Sequence, residues 1–233
     1  MELLIQQLVN GVALGSIYAL VALGYTMVYG TIKLINFAHG DVYMMGAFVG
    51  FYAMNGLGLN IFLSLLLAMV TCAVLGVVIE RVAYKPLRRS TRVAALITAI
   101  GVSFLLENVM SYFFGAEIRP FPSDFGTTNY TLFGNITING KQILIFATTV
   151  ILMALLQFIV HYTKMGKAMR AVAVDEDAAQ LMGIDVDQVI SFTFALGSSL
   201  AGIAGVLVAL YYNTFSATMG IVPGLKAFVA AVL

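Results

Sequence analysis

The sequence predicts an all-α protein: a polytopic transmembrane helical bundle with about seven spans visible, cut before its C-terminal spans. Three observations carry this. Of 233 residues, 61% are hydrophobic and 10% charged, with a mean hydropathy of +0.98, whereas a soluble domain carries roughly 25% charged residues. The apolar residues gather in runs of near-bilayer length, and about 20 helical residues cross roughly 30 Å of hydrocarbon. Lys and Arg collect in two short connections, the asymmetry expected of cytoplasmic loops.

The runs fall at about 5–30, 37–54, 59–80, 93–114, 141–161 and 189–212, with a seventh beginning near 218. Backbone groups in lipid must pair within their own segment, so these runs are helices or broken helices. The 37–54 run is the weakest, because it opens on Asn36, His39 and Asp41. The first run stays in the mature protein: Met1–Glu2 lacks a basic leader and the run is too long for a signal peptide. The chain stops inside the apolar AFVAAVL, which reads as the N-terminal part of one longer transmembrane domain, residues 1–233.

Arg81, Lys85, Arg88, Arg89 and Arg92 follow the third run, and Lys164, Lys167 and Arg170 follow the fifth. Two spans separate these loops, so both can be cytoplasmic. Residues 115–140 then form an external loop, and the N-terminus is external if all seven runs cross. That loop holds two N-x-T triplets, at Asn129 and Asn135, read here as composition rather than glycan acceptors. Its TLFGNITING alternation suggests a hairpin turning at Gly134–Asn135. Small residues paired at helical spacing (Gly11/Gly15, Gly46/Gly50, Ser198/Gly202, Ala201/Gly205 and Gly220/Gly224) suit close helix approach in lipid.

Sequence offers little for catalysis. It contains no P-loop, HExxH, CxxC or GxSxG. His39 and His161 stand far apart without metal-ligand spacing, and the single Cys72 can form no internal disulfide. No nucleophile–base pair is visible, no cofactor is implied, and a net charge of +1 gives no sign of a nucleic-acid partner.

Two segments carry the functional signal. In TIKLINFAHGDVYMMG (31–46), polar groups crowd the start of an apolar helix. Asn36 and His39 share a helical face, with Gly40 as a possible break. They either face a pathway, as broken helices of transporters do, or sit in an interfacial loop. Asp41 reads more simply as an acid placed by the helix dipole. Glu107 interrupts the fourth run and reads as structural, since a relay needs a partner that the sequence does not reveal.

The other segment is 162–188, a polar stretch between two spans. Asp175 is expected to cap a short helix, Gly183 to end it in the left-handed region, and Asp185 with Gln188 to start the next span. At 100° per residue, Ala171, Val174, Ala178, Leu181 and Met182 form one apolar stripe, opposite Glu176, Asp177 and Gln180. Membrane-surface helices favour basic polar faces; this face is acidic, so a groove on a partner protein fits better.

Read together, GYTMVYGTIKLINFAHGDVYMMGAF (24–48), ERVAYKPLR (80–88) and MGKAMRAVAVDEDAAQLMGIDVDQVISFTFALGSSLAGIAGVL (165–207) resemble the permease subunits of branched-chain amino acid ABC transporters, of the LivH type. The resemblance covers nearly the whole chain and is least in 115–140. It implies a multi-pass protein of the bacterial inner membrane in a binding-protein-dependent importer. Its partners would be a second homologous permease, two cytoplasmic ATP-binding subunits that hydrolyse the ATP, and a periplasmic binding protein delivering leucine, isoleucine or valine. By matching position, Arg170, Ala173, Asp175, Glu176, Ala179, Leu181 and Gly183 would form the ATPase-coupling block. Asn36, Phe37, His39 and Gly40 would occupy the translocation pathway. Within the family, urea, amides or another amino acid are alternative cargoes; an ion-coupled secondary transporter using Asp41 or Glu107 is a rival outside it.

Overall fold

A computed structural model describes residues 2–88, 90–122, 126, 129–132 and 136–232. Helix α1 (Glu2–Ile32) is followed by α2 (His39–Asn55), α3 (Ile61–Ile79) and α4 (Arg92–Phe114). Strands β1 (Arg119–Pro120), β2 (Asn129–Leu132) and β3 (Ile136–Asn139) precede α5 (Gly140–Tyr162). Two shorter helices, α6 (Lys164–Val174) and α7 (Glu176–Leu181), lead into α8 (Val186–Tyr212), β4 (Thr214–Phe215) and α9 (Ile221–Val232).

Among the described residues five helices, α1, α3, α4, α5 and α8, are long and apolar enough to cross a membrane. Their starts are fixed by local chemistry. Asn60, Thr91, Asn139 and Asp185 cap α3, α4, α5 and α8 through their side chains, and Asn139 forms a full capping box with Gln142. The second predicted run yields the 17-residue α2, and the seventh yields the 12-residue α9. Neither is among the five helices long enough to cross.

Helix α8 is the axis. It packs against α1, α2 and α3, and 83% of its best span window is buried. Small residues allow this. A Cβ on Gly46 would overlap the Gly202 backbone, and one on Gly205 would overlap the carbonyl of Tyr43. Ser198 sits where Gly76 leaves room. The expected pairing at Gly11/Gly15 does not occur: nothing lies within 4 Å of either position. By contrast α4 is little buried and turns Val93, Ile97 and Phe104 outward, as lipid-facing residues would.

The two ends of the bundle differ in chemistry. At one, β1 pairs antiparallel with β4 and β2 with β3. The β2–β3 pairing gives the expected hairpin, but its turn at Gly134–Asn135 lies outside the described residues. The start of α1 is at this strand end: the Gln6 side chain donates to the Thr137 carbonyl (3.0 Å) and accepts from its N–H (2.9 Å). Phe48, Phe51, Phe121 and Phe215 stack beneath β4. At the opposite, basic end, α3 loosens into a π-helical turn (Glu80–Tyr84) and a 3₁₀ turn (Lys85–Leu87), and α5 passes into α6 and α7. Arg88 joins these two basic segments by an ion pair of 2.5 Å with Asp187.

Candidate functional site

Residues 33–38 make the connection that carries the first predicted site. Lys33 takes a left-handed φ of 56° and reverses the chain. His39 then stacks on Tyr25 with ring centroids 4.5 Å apart. Tyr25 lies seven residues before the end of α1, about 10 Å back along the axis, so α2 begins inside the bundle.

The four pathway candidates separate here. Asn36 is buried, and the Tyr84 hydroxyl is shared between its Oδ1 and the Ile35 carbonyl, each at 3.1 Å. His39 is buried against Tyr25 and Gly24, with no hydrogen-bond partner on Nε2. Phe37 packs on Phe228 at 5.6 Å. Gly40 is pressed between Gly220 and Gly224, leaving no room for a Cβ. Asn36 and His39 thus serve the internal wall of the bundle, while Phe37 and Gly40 reach a cavity.

That cavity, of about 180 Å³, is bounded by α1, α2, α4 and α9. Asp41 and Glu107 both line it, with Ser103 of α4 and Tyr25 of α1. From sequence Asp41 reads as an acid favoured by the helix dipole and Glu107 as a residue without a relay partner. The signal that could have joined them is depth: Phe48 packs on Phe114 at 5.5 Å, and Asp41 and Glu107 each lie seven residues before those rings.

The 162–188 stretch forms a hairpin, and its helix is not continuous. Asp175 is extended (φ −154°) and separates α6 from α7, so Ala171 and Val174 belong to a different helix from Leu181 and Met182. The competing hydrogen bond explains the break: the Asp175 carboxylate caps α7 by accepting from the Ala178 N–H at 3.0 Å. Gly183 has φ +82°, and Ile184 N–H reaches the Ala179 carbonyl at 3.1 Å, the long bond of a Schellman closure. Asp185 Oδ1 accepts from Gln188 N–H and starts α8.

Burial sorts the predicted coupling residues. Val174 and Leu181 are each 88% exposed and Met182 83%. Ala179 is buried and holds the hairpin to the bundle, as do Met169 and Val172 of α6. Arg170 and Glu176 are exposed, and Ala173 is half-buried. A polar groove of about 580 Å³ runs beside α7, between it and Lys85–Arg88.

Residues 7–233 match the family described as the branched-chain amino acid transport system permease component. The high-affinity branched-chain amino acid transport system permease protein LivH of Escherichia coli is 42% identical over 240 residues, 98% of this chain and 78% of that protein. BraD of Pseudomonas aeruginosa, with the corresponding description, is 40% identical over 242 residues with the same coverage. A probable branched-chain amino acid transport permease of Methanocaldococcus jannaschii is 32% identical over 214 residues, covering 87% and 65%. No solved structure matches the chain.

Proposed function

We propose a mechanism for this chain from the premise that it belongs to the family of permease components of branched-chain amino acid transport systems. It is a multi-pass membrane transport subunit. The basic end faces the cytoplasm of a bacterial inner membrane, following the Lys and Arg bias. The α6–α7 hairpin then docks on a cytoplasmic ATP-binding subunit, and the strand end receives leucine, isoleucine or valine from a periplasmic binding protein. A second homologous permease completes the membrane pathway.

The observation that supports this reading is the exposed apolar group Val174, Leu181 and Met182 at the tip of a hairpin whose inner face is packed. Large apolar side chains at a water-facing tip call for cover, and the acidic neighbours Glu176 and Asp177 make anionic lipid a poor one. Energy enters through the docked partner, so the chain needs no nucleotide motif of its own. A docked helix shifts the bundle between inward- and outward-open states only through contacts that differ between them.

Uptake into proteoliposomes holding the full-length chain with its partners tests the reading. ATP and loaded binding protein together should drive uptake, and a protonophore should leave it unchanged. Uptake that runs without ATP and collapses with the protonophore would instead make the chain an ion-coupled transporter.

A further inference from the structure

Asp41 is 2% exposed, and its Oδ2 has no hydrogen-bond partner. It points into the cavity between α2, α4 and α9, where Glu107 and Ser103 approach from α4. Among the described residues no Lys or Arg lines this cavity. An acid buried at that depth without a cation is costly to keep, and such groups mark the path of a ligand.

The remaining walls narrow the ligand's chemistry. Helix α9 starts at Ile221, so Gly220 and Ile221 bring its positive N-terminal pole to the cavity edge. The Tyr25 hydroxyl lies 4.0 Å from where a Cβ on Gly224 would stand, on the same side. Ile100, with the exposed Phe104 and Leu225 at the side that opens outward, supplies an apolar wall. A proton or an inorganic cation would use the carboxylates and leave this wall and the α9 pole without purpose.

We infer that this cavity is the permease's own site for its cargo in transit, and that it takes one zwitterionic aliphatic amino acid. The ammonium group donates to Asp41, with Glu107 and Ser103 beside it. The carboxylate accepts from the start of α9 and from the Tyr25 hydroxyl, and the aliphatic side chain rests on Ile100, Phe104 and Leu225. The cavity volume of about 180 Å³ leaves room for a small molecule of this kind. The assignment rests on the transport reading above.

The test uses the full-length chain assembled with its partner subunits in nanodiscs, without binding protein. Saturable binding of radiolabelled leucine is measured for the wild type, Asp41→Asn, Glu107→Gln and Ser103→Leu. Each variant should weaken leucine binding by about tenfold or more, the loss expected of one charge-assisted hydrogen bond. Displacement by 4-methylpentanoate, which lacks the ammonium, should not respond to Asp41→Asn.

Ser103→Leu fills the cavity with both acids in place, so it carries the test if an acid variant fails to co-purify with the partners. Equal leucine affinity across the variants, or no saturable binding to the wild type, would overturn the site. So would a wild type whose uptake follows a proton gradient with Asp41 required, which would make the pair a proton site. A wild-type complex whose ATPase ignores loaded binding protein would count against the transport reading itself.

Discussion

Arg88 reaches back to Glu80, whose side chain is wholly buried, and with its other nitrogen holds Asp187 at the start of α8. Ser191 Oγ donates to the second Glu80 oxygen at 2.7 Å, and Lys85 reaches Asp187 at 2.7 Å. The end of α3 is thereby tied to the first turns of α8, the helix that the α6–α7 hairpin feeds.

Removing one partner of a buried ion pair leaves the other charge stranded, at a cost of about 3–5 kcal/mol. Arg88→Met should lower the unfolding temperature in detergent far more than Lys85→Met, whose side chain is half exposed. Adding Glu80→Gln to Arg88→Met should recover part of the loss. An additive double mutant would show that the two side chains do not work as a pair.

Leu181→Asp should leave membrane insertion intact and weaken docking by about 2 kcal/mol, roughly thirtyfold. Binding-protein-stimulated ATPase and uptake, measured side by side, check this. Ala179→Asp, on the packed side of α7, should instead reduce the amount of folded protein.

Gly183 meets nothing within 4 Å, so a substitution there is opposed by its φ of +82° and not by a clash. Gly183→Val should cost about 1–3 kcal/mol of local strain and displace Leu181. Gly183→Asn should be nearly neutral, because Asn tolerates this conformation. Protease sensitivity of residues 175–185 distinguishes the two.

Gly46→Leu and Gly205→Leu push side chains into the α2–α8 contact, where overpacking costs about 1–3 kcal/mol or more. Both should reduce monodisperse protein on size exclusion. Gly11→Ala and Gly15→Ala, facing open space, should not.

Tyr84→Phe removes the hydroxyl that holds Ile35 and Asn36, a loss of about 0.5–1.5 kcal/mol. Its expected signature is faster hydrogen exchange in 33–38 with the rest of the bundle unchanged.

Local chemistry was legible in the sequence wherever one segment contains its own cause. Asp175, Gly183 and Asp185 sit in the cap and turn positions their residue types imply, because capping needs only neighbours in the chain. The apolar stripe drawn through Ala171, Val174, Leu181 and Met182 is nevertheless divided between two helices, because the Asp175 cap that starts α7 also ends α6. Periodicity alone does not register that break.

Composition and run length suffice to read a helical membrane protein, because lipid leaves the backbone no other way to pair its polar groups. Which helices meet was settled by packing across the bundle. It set Gly40 against Gly220, tied Arg88 to Asp187, and brought Asp41 and Glu107 to one cavity while leaving Gly11 and Gly15 unpaired. The reason is that apolar helices in lipid gain little from burial alone. Their pairing is chosen by close fit between small residues far apart in the chain, and no single segment contains that fit.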